Sequence, residues 1–594
     1  MNRALRKIPL ILLIGGLLTL SLSQCARVVA PTGGPKDTIA PVVLKTIPAQ
    51  LSKNVSATEL ELQFDEYVTL KDLQKSFFVS PPLEQLPEVR ERGRKLEVVF
   101  DKPLQPNTTY SLNFGNSIVD NNEGNPIIDY AFTFSTGGTI DTLKFNGVVF
   151  DAKLMQPVAD AFVFFYDNDS LEAPLKHNPA IVAKTDKEGI FVAKTLKDKE
   201  YKVIAIKDAN RNYLYDAGVD EIAFEKRHFK PVTIPAKADT ISDSLWRSQL
   251  VPAARFKLFA EPKTRQYITG KSRTEKFKFN LFFNAPKPDI KKIEFDGLTT
   301  NDFIVDQDAE GDTLTYWLKD ATRKVADTLL ANITYMKSDS TGKLVETLEK
   351  ISWELPLSKI DRPSKKDKKA DAVKTASKPQ PLSIQFDLPD GTANEDGGMF
   401  LTLNLPSTRI DSSKFHLFRI DDNDRKVKVP FSIKSNPKSL LSYRIDAKWV
   451  DDSKYEILVD SNAVSNILNQ VNDSTLYAFS SSNSSKFGTF TFNVKGLKHP
   501  LIVQVLDKKL KLVREKELRK DGALHFPFIK ADTYIVRIIE DINSNGAWDT
   551  GCYLKQVAPE RVAYLKKDKA QEFILRSGWE NEVSVDVEET FSSY

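Results

Sequence analysis

The feature that most constrains this chain is alternation with a period of two, repeated from one end to the other. Leu60, Leu62 and Phe64 alternate with Glu61 and Gln63, and Leu96, Val98 and Phe100 follow the same rule. Tyr110, Leu112 and Phe114, then Tyr130, Phe132 and Phe134, continue it. The pattern resumes at Phe277, Phe279 and Leu281, at Leu382, Ile384 and Phe386, and at Tyr455, Ile457 and Val459. A strand sends successive side chains to opposite faces, so each run predicts a half-buried strand. The 36 Phe and 17 Tyr suit that surface. Asn, Asp, Ser, Gly and Pro punctuate the runs evenly, as hairpin turns require. The expected class is all-β, and a length of 594 residues accommodates four or five modules.

The first 24 residues follow a different grammar. Arg3, Arg6 and Lys7 precede an apolar run, Leu10 to Leu20, and then Ser21-Leu-Ser-Gln-Cys25. A positive start, a short apolar middle and a small polar end form a secretory signal peptide. The run is too short for a spanning helix of about 20 residues. Leu22-Ser-Gln-Cys25 resembles a bacterial lipobox, with Gln24 where a small residue is usual. The resemblance implies that Cys25 is acylated and becomes the mature N-terminus. Residues 25–40, with Pro31, Gly33, Gly34 and Pro35, then read as a lipidated tether. Cys552 is the other cysteine, so lipidation of Cys25 leaves no pair for an intrachain disulfide.

Five modules follow. Residues 41–138 contain Phe64-Asp-Glu-Tyr-Val68, Pro106-Asn-Thr-Thr-Tyr110, Asp120-Asn-Asn-Glu-Gly-Asn125 and Phe132-Thr-Phe-Ser-Thr136. They resemble the Ig-like domain of bacterial surface-layer proteins and Bacteroidota lipoproteins, which implies an Ig-like fold without catalysis. Residues 139–252 contain Pro157 to Phe165 and Thr185-Asp-Lys-Glu-Gly-Ile-Phe191. They are similar to the carboxypeptidase-regulatory or prealbumin-like sandwich, where the Asp and Gly make a hairpin turn. Residues 253–358 predict a further β-sandwich. Residues 359–381, charged and Pro-containing, predict a linker or long loop. Residues 382–486 resemble a second Ig-like domain, and 487–580 a second prealbumin-like one. Residues 581–594 read as an acidic, frayed tail. Val464, Ile467, Leu468 and Val471 predict a helix over Asp460 to Asn472.

Modules two and five share a repeat. A strand opening on Tyr201 runs into Asp208-x-Asn210-x-Asn212, Asp216 and Gly218. A strand opening on Tyr534 runs into Asp541-x-Asn543-x-Asn545, Asp549 and Gly551. Oxygen donors at positions 1, 3, 5 and 9 can converge on a hard cation, as in the first half of an EF-hand loop. These eight residues are the candidate calcium ligands. Position 12 holds Val219 or Cys552 instead of a bidentate Glu, and Tyr213 stands where Gly546 stands in the other copy. The competing reading is a turn in which Asp and Asn side chains bond their own backbone.

Net charge excludes one class of partner. Without the leader, 81 basic side chains face 80 acidic ones, which argues against nucleic acid. There is no G-x-S-x-G, H-E-x-x-H or P-loop motif, and the five histidines are far apart in sequence. The expectation is a non-catalytic, lipid-anchored envelope protein, a structural or protein-interaction module. It would contact the membrane through its lipid and an envelope protein or glycan through its sandwiches. Ala26-Arg27-Val28-Val29 after the cysteine favours the periplasmic face of the outer membrane over the cell surface. The alternative is a carbohydrate-binding or glycan-processing accessory lipoprotein, which would show a row of exposed Trp or Tyr. A hydrolase would need two carboxylates facing each other across a cleft.

Overall fold

The computed structural model describes residues 36–592 apart from 236–242, 309, 321–322, 324, 357–381, 389–390, 395–397, 437–438 and 568–569. The leader, Cys25, most of the tether and the linker 359–381 lie outside the described residues. The structure is 50% strand and 5% helix as described, so the class is all-β. The chain divides into two compact units. One holds the residues up to Leu143 together with 194–197 and 235–249; the other holds the rest.

In the first unit the alternation becomes two facing sheets. One sheet orders Val43–Ile47, Glu59–Phe64, Lys95–Val99 and Glu88–Glu91. The other orders Phe78–Ser80, Thr109–Gly115 and Tyr130–Ser135. Register places Leu60 opposite Val98, Leu62 opposite Leu96 and Leu112 opposite Phe132. All six are buried in one core with Phe64, Phe114 and Phe134. Each such side chain contributes about 1.5–3 kcal/mol on burial. A helix at Asp243–Gln249 joins this unit, where Arg247 and Lys194 both pair with Asp129. The region expected as module two therefore contributes to both units.

The second unit contains four further sheet systems. In the first, a single seven-stranded sheet runs in the order Ile181–Lys184, Phe162–Tyr166, Lys202–Lys207, Glu221–Phe224, Ala254–Ala260, Leu143–Asp151 and Ile190–Leu196. Phe145 and Phe165 lie four strands apart in this order, yet their rings meet at 5.7 Å. The sheet must therefore curl over its own core. Ala254–Ala260 pairs in parallel with Leu143–Asp151. The boundary expected at residue 252 thus falls one strand early, because Phe256 and Leu258 complete the core of this sheet.

The third sandwich pairs a four-stranded sheet with the three-stranded sheet Ile290–Phe295, Thr328–Ser338 and Leu344–Glu354, around Phe279, Tyr335 and Trp353. The fourth packs Met399, Leu401 and Leu403 against Leu417, Tyr455 and Ile457. The fifth buries Phe490, Phe492, Val503, Val536 and Ile538.

Two expectations fail here. Asp460 to Asn472 is not a helix; it holds a short strand, Val464–Asn466, flanked by turns. The Asn472 Oδ1 accepts the backbone N–H groups of Ala463 and Val464, and the Asn466 Oδ1 accepts those of Leu468 and Gln470. Those side chains take the bonds a helix would need. Residues 581–592 of the expected tail are not frayed either. Glu580–Asp586 is a strand parallel to Phe487–Lys495, and a helix follows at Val587–Ser592. Val585, Val587 and Phe591 are buried, which outweighs the acidic composition.

Asp120 shows what anchors a turn here. Its carboxylate is almost wholly buried and accepts the backbone N–H groups of Asn122, Glu123, Gly124 and Asn125. Burial opposes ionisation, but these four donors outweigh it and bring the carboxyl down to about 2. A depressed carboxyl stabilises the fold above its ordinary value near 4 and loses that contribution as pH falls toward 2. Asp120→Ala should cost about 2–3 kcal/mol at pH 7, and the gap from wild type should close between about pH 4 and 2. Hydrogen exchange of residues 121–127 across that range measures both.

Candidate functional site

The two repeated loops are the most chemically loaded segments among the described residues. Each leaves an interior strand of its sheet at a buried carboxylate, Asp208 or Asp541. Asp208 accepts the N–H groups of Arg211 at 2.6 Å and Tyr213 at 2.9 Å. Asp541 accepts those of Asn545 at 3.0 Å and Gly546 at 2.8 Å. The sixth position has positive φ in both copies, 60° at Tyr213 and 77° at Gly546. Gly546 adopts it without strain. Tyr213 holds it because its ring is buried against Phe162 and Phe164, at 5.6 and 6.1 Å.

The asparagines close the loop. The Oδ1 atoms of Asn210 and Asn212 accept the N–H groups of Asn212 and Leu214. Their Nδ2 atoms both donate to Asp216 Oδ2, at 2.7 and 3.1 Å. The fifth module repeats this: Asn543 and Asn545 donate to Asp549 Oδ2 at 2.5 and 2.6 Å, while their oxygens accept from Asn545 and Ala547. The structure thus brings together Asp208, Asn210, Asn212 and Asp216, and likewise Asp541, Asn543, Asn545 and Asp549. It does so with amide nitrogens, not oxygens, facing the ninth-position carboxylate. The arrangement is that of a hydrogen-bonded turn. Among the described residues, no three His, Cys, Asp or Glu side chains form a metal-holding group.

A further carboxylate escapes the sequence pattern. Asp220 accepts the N–H groups of Ala209 and Asp216 at 3.0 and 2.9 Å. Glu560 accepts those of Ile542 and Asp549 at 2.7 and 2.9 Å. Both therefore clamp the second and ninth positions of their loop. The offset hides the equivalence, since Asp220 follows Gly218 by two residues and Glu560 follows Gly551 by nine. Burial, with a second carboxylate nearby in each case, pushes the carboxyls of Asp208 and Glu560 above their ordinary range.

The tryptophans are mostly committed to packing. Trp353 and Trp317 are buried, and Trp353 donates to the Asn280 carbonyl. Trp449 packs edge-on to Tyr455 and Phe479, and Trp548 and Trp246 donate to the carbonyls of Glu560 and Pro235. Trp579 alone of the six is more than half exposed, with Arg576 over its ring at 5.0 Å. Two histidines each meet one carboxylate: His228 with Asp169 at 2.7 Å and His416 with Asp460 at 2.9 Å.

Comparison with known proteins bears on the first module most directly. Residues 37–136 match the family model of the bacterial Ig-like domain. No curated protein matches the chain in sequence. Among solved structures, the chain is similar to the major pilin subunit BcpA of Bacillus cereus, at 12% identity over 75% of this chain and 98% of that one, with a TM-score of 0.16. It is similar to the S-layer protein rSbsC, at 10% identity over 90% of this chain and 66% of that one, with a TM-score of 0.15. It is also similar to SGBP-B of a Bacteroides ovatus mixed-linkage glucan utilization locus, at 10% identity over 66% and 89%, with a TM-score of 0.16. Superposition this loose implies nothing about activity.

Two outcomes follow for the loops. Calcium or a chelator should leave the melting temperature unchanged, whereas Glu560→Ala should cost about 2 kcal/mol by stranding two backbone N–H donors. A carboxyl raised in the folded state imposes a penalty above its raised value that vanishes below its ordinary value near 4. Thermal melts of wild type and Glu560→Gln should therefore converge as pH falls from 7 toward 4.

Proposed function

We propose that this chain is a non-catalytic envelope protein that acts as a structural or protein-interaction module. Cys25 carries the lipid that anchors it to the outer membrane, with the sandwiches on the periplasmic side. The observation that carries this reading is the bacterial Ig-like domain at 37–136, directly after the leader and tether. Sandwich follows sandwich beyond it. The side chains with the most reactive look in the sequence spend their oxygens on backbone N–H groups. Tryptophans held in cores and against carbonyls favour a protein partner over a glycan, which would stack on a row of exposed rings.

Mass spectrometry of the mature N-terminus should find acylated Cys25. Cys25→Ser should move the protein from the membrane to the soluble fraction without lowering its melting temperature. An unmodified N-terminus elsewhere, or membrane retention of the variant, would overturn the anchor. Cross-linking in cells should then capture a defined envelope protein; capture of glycan alone would overturn the partner class.

A further inference from the structure

The two repeat-bearing sandwiches touch each other inside the second unit, and they do so through segments that are not part of the repeat. The link after Leu143–Asp151 runs from Ala152 to Ala161, whereas its counterpart after Phe487–Lys495 is only Gly496 to Pro500. The extra length of the second module carries Lys153, Leu154 and Met155. Conversely, the fifth module holds extra residues between Gly551 and Glu560, Tyr553 among them, with Thr550 just before that stretch. Each copy thus has one finger that the other lacks.

Each finger docks on the other copy. Met155 packs on Ile502, Ile539 and Val562. Tyr564 donates its hydroxyl to the Leu154 carbonyl at 2.9 Å, and the Lys153 ammonium lies 5.3 Å from the Trp548 ring. In return, Thr550 donates to the Ala260 carbonyl at 2.5 Å, and the Tyr553 amide donates to Glu261. The Tyr553 ring is fully buried edge-on to Phe224 at 5.3 Å and Tyr215 at 5.9 Å. Gly551 lies so close to Phe259 that a Cβ would come within 2.7 Å of its ring.

The two docking faces are the same face of the repeat. Phe224 pairs with Ile204 and Tyr564 with Arg537, and Ile204 and Arg537 each stand three residues after the tyrosine that opens the repeat. Tyr215 and Trp548 share the eighth loop position. The two copies differ at the sixth. Tyr213 covers Phe162 from within its own module, whereas Gly546 offers no side chain and Ile502, the equivalent of Phe162, is covered by Met155. Each module is complementary to its counterpart and not to itself.

We propose that these fingers form an intramolecular clasp, in which the second and fifth sandwiches lock together and carry the third and fourth as a closed loop between them. The chain leaves for the third sandwich at Glu261, the residue that holds the Tyr553 amide, so the clasp sits at the mouth of that loop. Tension along the second unit then passes through the clasp before it reaches the sandwiches inside. The clasp does not depend on the lipid anchor.

Hydrogen exchange on the full chain tests it. In a clasp the two fingers act together, so Met155→Asp, made on one finger, should speed exchange at residues 550–557 on the other at least tenfold. Tyr553→Ser should do the same at 152–156. Met155→Leu should behave as wild type. Protection of the fifth-module core at 490–494 and 503–505 should persist in all three. Unchanged exchange at 550–557 in Met155→Asp, with that core protected, would overturn the clasp. So would loss of protection in that core, because the finger would then be part of the fifth fold and not a lock upon it.

Discussion

A carboxylate accepting successive backbone N–H groups is the interaction on which this architecture depends. A chain of short antiparallel strands must reverse direction dozens of times, and each reversal exposes N–H donors that no ladder satisfies. Here the same solution recurs. Asp186 accepts from Glu188 and Ile190, Asp421 from Asn423 and Arg425, and Asp507 from Lys509 and Lys511. Asp308 and Asp339 do the same in the third sandwich. Asp120, Asp208 and Asp541 are buried versions, where the turn wraps around the carboxylate. Part of the acidic content is therefore structural.

The strands were legible because alternation is a local signal. Leu60, Leu62 and Phe64 face the core as their spacing requires. What was illegible depended on partners far away or on side chains competing with the backbone. Val464, Ile467, Leu468 and Val471 have helical spacing, but Asn466 and Asn472 offer the backbone better acceptors than a helix would. Phe256 and Leu258 read as the start of a new module, since nothing local reveals a parallel pairing with residues more than a hundred positions earlier. Val583 and Val585 alternate properly, yet acidic neighbours masked them.

The loops show the same division. The repeat itself was visible, as was the departure at Tyr213, but its meaning lay in packing. A tyrosine at positive φ is strained, and that strain is tolerated because the ring closes over Phe162. Asp220 and Glu560 were invisible as equivalents because the finger of the fifth module separates Glu560 from the rest of its motif.

That separation links turn chemistry to assembly. The extra residues of the fifth module fall between the ninth-position carboxylate and its clamp, yet Glu560 reaches back to the same two N–H groups that Asp220 does. The clamp closes the base of the insertion and leaves its tip free to project. Thr550, Gly551 and Tyr553 are then presented from a fixed base, while Met155 is presented by an equivalent device, with the Asp151 carboxylate accepting the N–H groups of Lys153 and Leu154. The two copies of the repeat present matching faces, and carboxylate-capped turns hold the base of each finger clear of the sheet beneath it.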